Sequence, residues 1–374
     1  MEVRTNLAQL RTKRGLAAAA LAAEAGISRQ TVYAIEAGTY VPNTAVSLKL
    51  ARILGTTVEE LFQLESEHEA VDATAEVFIL GEVASLPKGQ PLRLVSVNGH
   101  LVAVVPDPAS WGLQPTDAVL LRLASGSKAM VNAKVRLLGD GWKNPARILL
   151  AGCDPSASLL AYSLERQGIE LVIAYENSSY ALDLLHKGLV HIAGTHLVDK
   201  VSDKADLLPI LKMFARSSVA ILSFAMWKEG LVVAPGNPKK IVGIEDLARK
   251  DVELTNREPG AGSRRLLDDL LKKHGIASAK VRGYDRITLG QLPAARMVYS
   301  GEVDCCISTQ AAASSMGLTF LPLAQKPYLF VLRRSHLALP PVQALIETLG
   351  RASFRREVEA CVGYDLRTAG ERLA

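Results

Sequence analysis

Aromatic side chains are scarce in this chain, 5% of its residues. That scarcity argues against a ring-lined groove for sugars or for single-stranded nucleic acid. Cysteines number four, and none stands in a CxxC or Cys/His ligand spacing. Cys305 and Cys306 are adjacent, while Cys153 and Cys361 lie far from them and from each other. No disulfide framework, structural zinc or other metal site is therefore expected, and no cofactor. Long apolar runs are missing as well. The most apolar stretches, such as Ser218–Trp227, are about ten residues, half of the roughly 20 that a bilayer requires. No membrane partner is expected. The opening Met1-Glu2-Val3-Arg4-Thr5-Asn6 has neither the basic nor the apolar region of a secretory signal, so a cytoplasmic location is expected. A strong excess of one charge is also lacking: 43 basic residues face 38 acidic ones, a net +5.

What remains is an ordered globular composition, 49% hydrophobic and 22% charged over 374 residues. At roughly 100–200 residues per domain this implies two or three domains. The mild charge is unevenly placed. Residues 1–54 hold seven Lys/Arg against three acids, and Glu59, Glu60 and Glu65 follow directly. The head of the chain starts basic and finishes acidic.

Residues 1–65 read as an all-α domain. Val3, Leu7 and Leu10 recur at helical spacing up to Gly15, and Leu16–Ala25 is rich in alanine. Gly26-Ile27-Ser28 then makes a tight turn, with glycine for the backbone angle and serine to cap the next helix. Arg29–Ala37 forms that helix, with Val32 and Ile35 inward and Arg29, Gln30, Thr31 and Tyr33 on the open side. A fourth helix runs from Pro42-Asn43-Thr44 to Leu54, and Thr57 caps a short fifth one through Phe62. Helix, tight turn and outward polar helix is the layout that sets a recognition helix in the DNA major groove.

The run Leu21–Val32, with Ile35-Glu36-Ala37-Gly38, Pro42 and Leu50-Ala51-Arg52-Ile53-Leu54-Gly55, closely resembles the Xre/Cro-type helix-turn-helix family of transcriptional regulators. The resemblance implies that Arg29, Gln30, Thr31 and Tyr33 face bases or nearby phosphates of a double-stranded DNA operator. It places Arg11, Arg14, Thr39, Tyr40 and Asn43 on phosphates, contacts that position the protein without reading sequence. Such domains usually bind as dimers, so a homodimer is expected. The plainer alternative is a helical protein-interaction module with a solvated basic face.

Residues 66–146 read as a linker, Ser66–Ala75, followed by a small β-rich module. Leu92–Val97 and His100–Val105 flank Asn98-Gly99, a strong hairpin signal. Ala118–Leu123 and Ala129–Leu138 are two further strands, and Pro106, Pro108 and Pro115 exclude a long helix. No chemical site is read here, and His100 is expected to be exposed.

From Arg147 onward strand and helix signals alternate, which predicts a parallel sheet with flanking helices. Strands Ile148–Ala151, Leu171–Tyr175 and Val190–Ala193 alternate with helices Ser156–Gln167 and Ser179–Lys187. A helix near Leu207–Arg216 and two β-rich runs to Pro235 follow. A second set, about residues 236–318, comprises helix Ile244–Arg249, strand Val252–Asn256, helix Ser263–His274, strand Lys280–Tyr284, helix Leu292–Ser300 and strand Asp304–Ser308. Tyr328–Leu332 and the amphipathic Val342–Cys361 return to the first lobe. Two lobes joined by two crossings form a hinged clamp.

In open αβ sheets ligands sit at the carboxyl ends of strands, where helix N-termini point. The loops at those ends share a chemistry: Gly152–Ser158, Glu176–Ser179, Gly194-Thr195-His196 and Asn256–Arg264. Glycines admit a ligand to backbone N–H groups, and the helix dipole favours negative charge. Hydroxyls add neutral donors, and Arg257 and Arg264 can add charge-assisted bonds. Ser156, Ser158, Asn177, Ser178, Thr195, His196, Arg257, Gly262, Ser263 and Arg264 are the candidate effector-binding residues, for a small oxyanion, carboxylate or phosphate. Serines in such loops also cap helices without any ligand. His191 and His196, with Asp199 nearby, are read as bonded histidines rather than metal ligands.

Gly152-Cys153-Asp154-Pro155, Asn177-Ser178, His191–Leu197, Gly236-Asn237-Pro238, Asn256–Arg264 and Gly363-Tyr364-Asp365 together resemble the periplasmic-binding-protein-like (type II) domain attached to some Xre-type regulators, a relative of molybdate-binding proteins. The resemblance spans residues 147–374 and implies a two-lobed α/β fold with molybdate or tungstate among the possible effectors. The expected whole is a non-enzymatic, ligand-responsive regulator. Its rivals are an antitoxin-like module without a small ligand and an enzyme using Cys153, whose place at a helix N-terminus would lower its thiol pKa.

Overall fold

Leu7, Leu21, Val32, Ile35, Leu50 and Leu61 are sealed from solvent at the centre of the head, and the helices that carry them are set by local signals. In this computed structural model residues 3–64, 73–81, 86–106, 114–123, 131–197, 200–201, 204–205, 207–214 and 218–374 are described. They fall into two compact units, Met1–Ala73 and Thr74–Ala374. The first contains β1 (Val3–Thr5), α1 (Leu7–Lys13), α2 (Ala18–Ala25), α3 (Arg29–Glu36), α4 (Thr44–Ile53), α5 (Val58–Leu61) and β2 (Phe62–Leu64). Gly26 ends α2 in the left-handed conformation, and the Ser28 side chain accepts from Thr31 N–H to start α3. Asn43 does the same for α4, and Thr57 with Glu60 forms a capping box on α5.

Val3 is not helical as its spacing suggested. It pairs with Leu64 and Thr5 with Phe62 in a short antiparallel ribbon. β-branched Val3 and Thr5 suit a strand, and Asn6, whose side-chain amide donates to Glu60 O, ends it before α1 begins. The expected linker Ser66–Ala75 lies outside the described residues up to Asp72, as do Pro108, Ala129, Asp199 and Arg216.

The second unit opens with a closed barrel. Strands β3 (Thr74–Ile79), β4 (Pro91–Val97), β5 (His100–Val104), β6 (Ala118–Leu123) and β7 (Val131–Leu137) pair in the order β3-β5-β4-β6-β7 and close on β3. Asn98 and Gly99, both at positive φ, turn β4 into β5, the twist that a two-residue hairpin demands. His100 is exposed and meets the edge of the Phe78 ring. Alternate residues fill the barrel, among them Ile79, Leu92, Leu94, Ala118 and Val135. Others face outward: Leu80, Val95, Val97 and Val102 share one core with Leu149, Val172 and Leu185. The barrel is therefore fused to the αβ domain rather than free beside it.

That domain comprises β8 (Arg147–Gly152), α6 (Ala157–Glu165), β9 (Glu170–Tyr175), α7 (Ser178–Lys187), β10 (Ile192–Thr195), β11 (Lys200–Val201), β12 (Lys204–Ala205), α8 (Leu208–Met213) and β13 (Val219–Val233). It continues with β14 (Leu254–Arg257), α9 (Gly262–Lys273), β15 (Ile287–Thr288), α10 (Gln291–Tyr299), β16 (Cys305–Thr309), α11 (Gln310–Ser315), β17 (Thr319–Arg333), α12 (Pro340–Gly350), α13 (Ala352–Glu359) and β18 (Tyr364–Asp365). One sheet runs β15-β14-β16-β13-β17-β10-β8-β9, with β18 also on β13.

The two β-rich runs before Pro235 are a single 15-residue strand, β13, paired along its length with the equally long β17. One end of this pair joins β10 in the first lobe, the other joins β16 in the second. These are the two crossings. Register shifts at Ser223/Ala225 and Glu229/Gly230 mark the middle of β13 as its irregular part.

Three expectations in this domain change. Lys280–Tyr284 is not a strand: a Cβ on Gly283, at φ +80, would lie 1.9 Å from Leu254 O, and the short strand forms later, at Ile287. Ile244–Ala248 is a 3-10 helix. Val342–Cys361 is two helices, broken where Arg351 turns extended. Among the described residues no helix is long and apolar enough to cross a membrane.

Candidate functional site

The carboxyl ends of β8, β10 and β14 and the N-termini of α6, α7 and α9 meet the middle of β13. Strand β8 ends in Gly152, and β10 carries Gly194. A Cβ at either would lie 2.5 or 2.2 Å from the Tyr328 hydroxyl. Only glycine lets that ring lie flat against both strands, where its hydroxyl accepts from Cys153 N–H at 3.1 Å. His196 follows β10 and is wholly enclosed, edge-on to Trp227 at 4.7 Å and stacked near Tyr328.

Around His196 the buried polar groups of both lobes converge. Its Nδ1 lies 3.2 Å from Ser178 Oγ and 3.6 Å from Cys153 Sγ. Its backbone N–H donates to Ser178 Oγ at 3.2 Å. Its Nε2 stands 3.6 Å from Glu229 Oε1 on the crossing strand. Ser263, opening α9 in the second lobe, donates to Glu229 Oε1 at 2.6 Å and accepts from Gln291 Nε2 at 3.0 Å. Arg257 makes a two-pronged pair with Glu258, both bonds 2.8 Å. Asp154 accepts from Ser156 N–H, Ser156 Oγ and Tyr364 Oη, all through Oδ1.

Five polar atoms in this cluster are buried without a hydrogen-bond partner in the protein: Asp154 Oδ2, His196 Nε2, Trp227 Nε1, Glu229 Oε2 and Arg257 Nη1. Leaving such atoms unpaired is costly, about 1–3 kcal/mol each and more when charged. Burial first, then the field of Arg257, pushes His196 down to about 3, so its ring is neutral. Burial raises Asp154 to about 6, against its bonds to Tyr364 and Ser156, and raises Glu229 against its bond to Ser263. Cys153 is pushed up to about 12, chiefly by burial, with Arg257 opposing and Asp154, Glu229 and Glu258 adding. Burial overrides the helix N-terminus here and holds the Cys153 thiol protonated.

The lobes touch directly at this centre. Ser179 N–H donates to Gly260 O, and Arg265 Nη1 to Leu197 O. A Cβ at Gly262 would lie 2.1 Å from His196 Nε2, and one at Gly260 2.8 Å from Asn177 Oδ1. A groove of about 1850 Å³ leads away from it, reaching Cys153, Arg257, Glu258 and Gln291 at its buried end. Exposed Tyr162, Tyr175, Leu289 and Leu292 rim it.

Of the ten candidate effector residues, Ser156, Ser178, Thr195, His196, Arg257, Gly262 and Ser263 are buried here. Three are not in the cluster. Ser158 is exposed and spends its hydroxyl on Pro155 O. Asn177 caps α7 through Tyr180 N–H and faces Gly260 across the seam. Arg264 lies over the Tyr284 ring, 4.9 Å from its centroid, and donates to Arg257 O. Ser156 does not cap α6 with its side chain, which turns back to Asp154. Asp154, Trp227, Glu229, Glu258 and Gln291 escaped the sequence reading. For Asp154 and Glu258 the signal was present, in the loops already singled out after β8 and β14. His191, 6% exposed, is bonded in the core, accepting from Leu149 N–H at 3.0 Å. No group of three metal-ligating side chains occurs among the described residues.

In the head, Arg29, Gln30, Tyr33, Thr39, Tyr40 and Asn43 are exposed and Thr31 is half-buried. Arg29 donates to Tyr33 Oη at 2.9 Å on the outer face of α3. Arg14 is exposed near Gly55 O. Arg11 differs from its expected phosphate role: its guanidinium is taken up by Glu36 and by Leu16 O. It ties α1 to the end of α3.

Residues 161–350 match the PBP superfamily domain, and residues 7–61 match the helix-turn-helix family HTH_3. The uncharacterized protein YvgK of Bacillus subtilis is 30% identical over 233 residues, 62% of this chain and 74% of that protein. The uncharacterized HTH-type transcriptional regulator YgzD of the same organism is 35% identical over 66 residues, 18% of this chain and all of that protein. Among solved structures, a phosphate-bound substrate-binding protein from Clostridium perfringens has 13% identity and TM-score 0.45 and covers 57% of this chain and 97% of its own. The sulfate-binding protein SubI of Mycobacterium tuberculosis has 16% identity and TM-score 0.44, over 58% and 86%. The chain therefore belongs to the PBP superfamily domain family, with a helix-turn-helix DNA-binding domain of the Xre type at its N-terminus.

Proposed function

We propose that this protein is a cytoplasmic, homodimeric transcriptional regulator whose αβ clamp takes a small carboxylate- or oxyanion-bearing effector, and whose closure alters the hold of the head on operator DNA. The observation that carries the effector is the Arg257 guanidinium. It is 2% exposed and ends in an unpartnered Nη1 at the buried end of the groove. A buried arginine N–H with no acceptor is a strong site for an anionic oxygen. Arg29, Gln30, Thr31 and Tyr33 would read bases, and Arg14, Thr39, Tyr40 and Asn43 would hold phosphates. The effector would act through its different affinity for open and closed lobes.

A thermal-shift screen with molybdate, tungstate, sulfate, phosphate and small carboxylates tests the clamp. At least one is expected to raise the melting temperature, and Arg257→Met to remove the rise. Operator binding is then measured with and without that compound. Silence of the whole panel sinks the effector reading and favours an interaction module; a bound compound that leaves DNA affinity unchanged sinks the coupling.

A further inference from the structure

The outward side chains of α3 are not equivalent. Thr31 is half-buried, and its hydroxyl lies 2.8 Å from the Ser28 hydroxyl at the helix cap. Gln30 is exposed. Arg29 differs from both: its Nε and Nη2 donate to the Tyr33 hydroxyl at 3.2 and 2.9 Å, and its guanidinium carbon stands 5.3 Å from the centroid of that ring. The two residues are four apart in sequence, so they share one face of the helix, and both are exposed. Helix stability does not call for a cation at this place. Arg29 is the first residue of α3, where the helix dipole disfavours positive charge. A carboxylate is the commoner partner of an arginine, as Glu36 is for Arg11, but it would cancel the charge. A phenol oxygen orients the guanidinium and leaves its charge in place. The bonds also select which edge stays open. Nε and Nη2 form the side-on edge, which is spent on Tyr33. The end-on edge, Nη1 with the second N–H of Nη2, keeps two parallel donors, the fork that matches O6 and N7 of guanine in the major groove.

We propose that Tyr33 is a positioning residue, which holds Arg29 so that the end-on edge of its guanidinium reads one guanine for each bound subunit. This rests on the DNA-binding reading above and gives Tyr33 and Arg29 separate parts in it. A phosphate contact needs the charge more than its direction, so an arginine with one edge fixed gains most at a base.

The test selects the sequences that the full chain binds from a random double-stranded pool. Affinity is then measured for the selected site and for its single-base variants at several salt concentrations. The wild type is expected to select a guanine whose replacement weakens binding about tenfold or more. Arg29→Ala is expected to abolish that preference. Tyr33→Phe keeps the ring and removes only the acceptor. It is expected to lower the preference at that guanine at least about threefold, with the salt slope, the affinity for unrelated DNA and the melting temperature unchanged. A guanine preference that Tyr33→Phe leaves intact overturns the positioning role. If Arg29→Ala instead weakens every sequence alike and reduces the salt slope by about 0.9 per subunit, the arginine holds a phosphate and guanine reading is overturned. A wild type that binds DNA but selects no such guanine also overturns the inference and leaves DNA binding standing, whereas failure to bind any DNA overturns the DNA-binding reading with it.

Discussion

A buried ionisable side chain either finds a partner or gives up its charge, and His191 and His196 of the first lobe give it up. His191 is lowered to about 4 by burial and by its neighbour His336, whose ring lies 5.2 Å away. His196 falls to about 3. In the unfolded chain each binds a proton below about pH 6.5. The unfolded state then holds more protons than the native one, so stability falls as pH drops from 6.5 toward those folded values. Asp154 works in the opposite sense. Its carboxyl, at about 6, stays protonated in the fold where the unfolded group is ionised, so its contribution is lost as pH rises from about 4 to 6. His191→Gln can still accept from Leu149 N–H while having nothing to protonate. Between pH 7 and pH 5 the wild type is expected to lose roughly 2 kcal/mol more than this variant, from one pKa unit being ~1.4 kcal/mol. Urea unfolding at the two pH values measures it, and equal losses would show that His191 is charged in the fold.

The N-terminus of α9 is where the second lobe closes on the first, and Gly262 sets how near it comes. A methyl group there would overlap His196 Nε2. Neither the enclosed imidazole nor the helix can withdraw without parting the lobes. Gly262→Ala is expected to weaken effector binding by at least about tenfold, some 1.4 kcal/mol, while each lobe keeps its own core and far-UV circular dichroism is unchanged. Titration with whichever compound binds the wild type reads this, and unaltered affinity would refute the role of closure. The glycine was legible in the sequence as part of a loop opening a helix, because glycines, caps and tight turns are encoded locally. The Gly26-Ile27-Ser28 and Asn98-Gly99 turns were readable for the same reason. Glu229 and Trp227 were not. They lie in a run that reads only as β-prone, and their part in the site depends on β13 crossing between lobes with its register broken at Glu229. That is a long-range fact of pairing with β16 and β17, which no window of neighbouring residues holds. Lys280–Tyr284 misled for a related reason: the close approach of Gly283 to Leu254 is tertiary, and it overrides the local strand preference.

At the scale of the whole molecule, a nearly balanced charge conceals two different uses of arginine. In the αβ unit Arg147 binds inward, to Leu94 O, Asp117 and Glu170, and so rivets the barrel to β8 and β9; Arg93 also pairs with Glu170. Asn98 Nδ2 adds a bond to Gly188 O at 2.9 Å. In the head, Arg11 is likewise consumed internally by Glu36, whereas Arg14 and Arg29 face solvent. Operator affinity should separate these roles. Each phosphate contact contributes about 0.9 to the slope of log K against log salt. Arg14→Ala should flatten that slope by about 1 per bound subunit and weaken all DNA sequences alike. Gln30→Ala should leave the slope in place and cost ~1–3 kcal/mol of discrimination at one base pair. Arg11→Ala should instead lower the melting temperature of the head, with the slope retained at temperatures where it stays folded. Titrations of operator and scrambled DNA at several salt concentrations distinguish the three. A slope reduced by Arg11→Ala as much as by Arg14→Ala would mean that the Arg11–Glu36 pair opens on DNA and that this arginine reaches a phosphate after all.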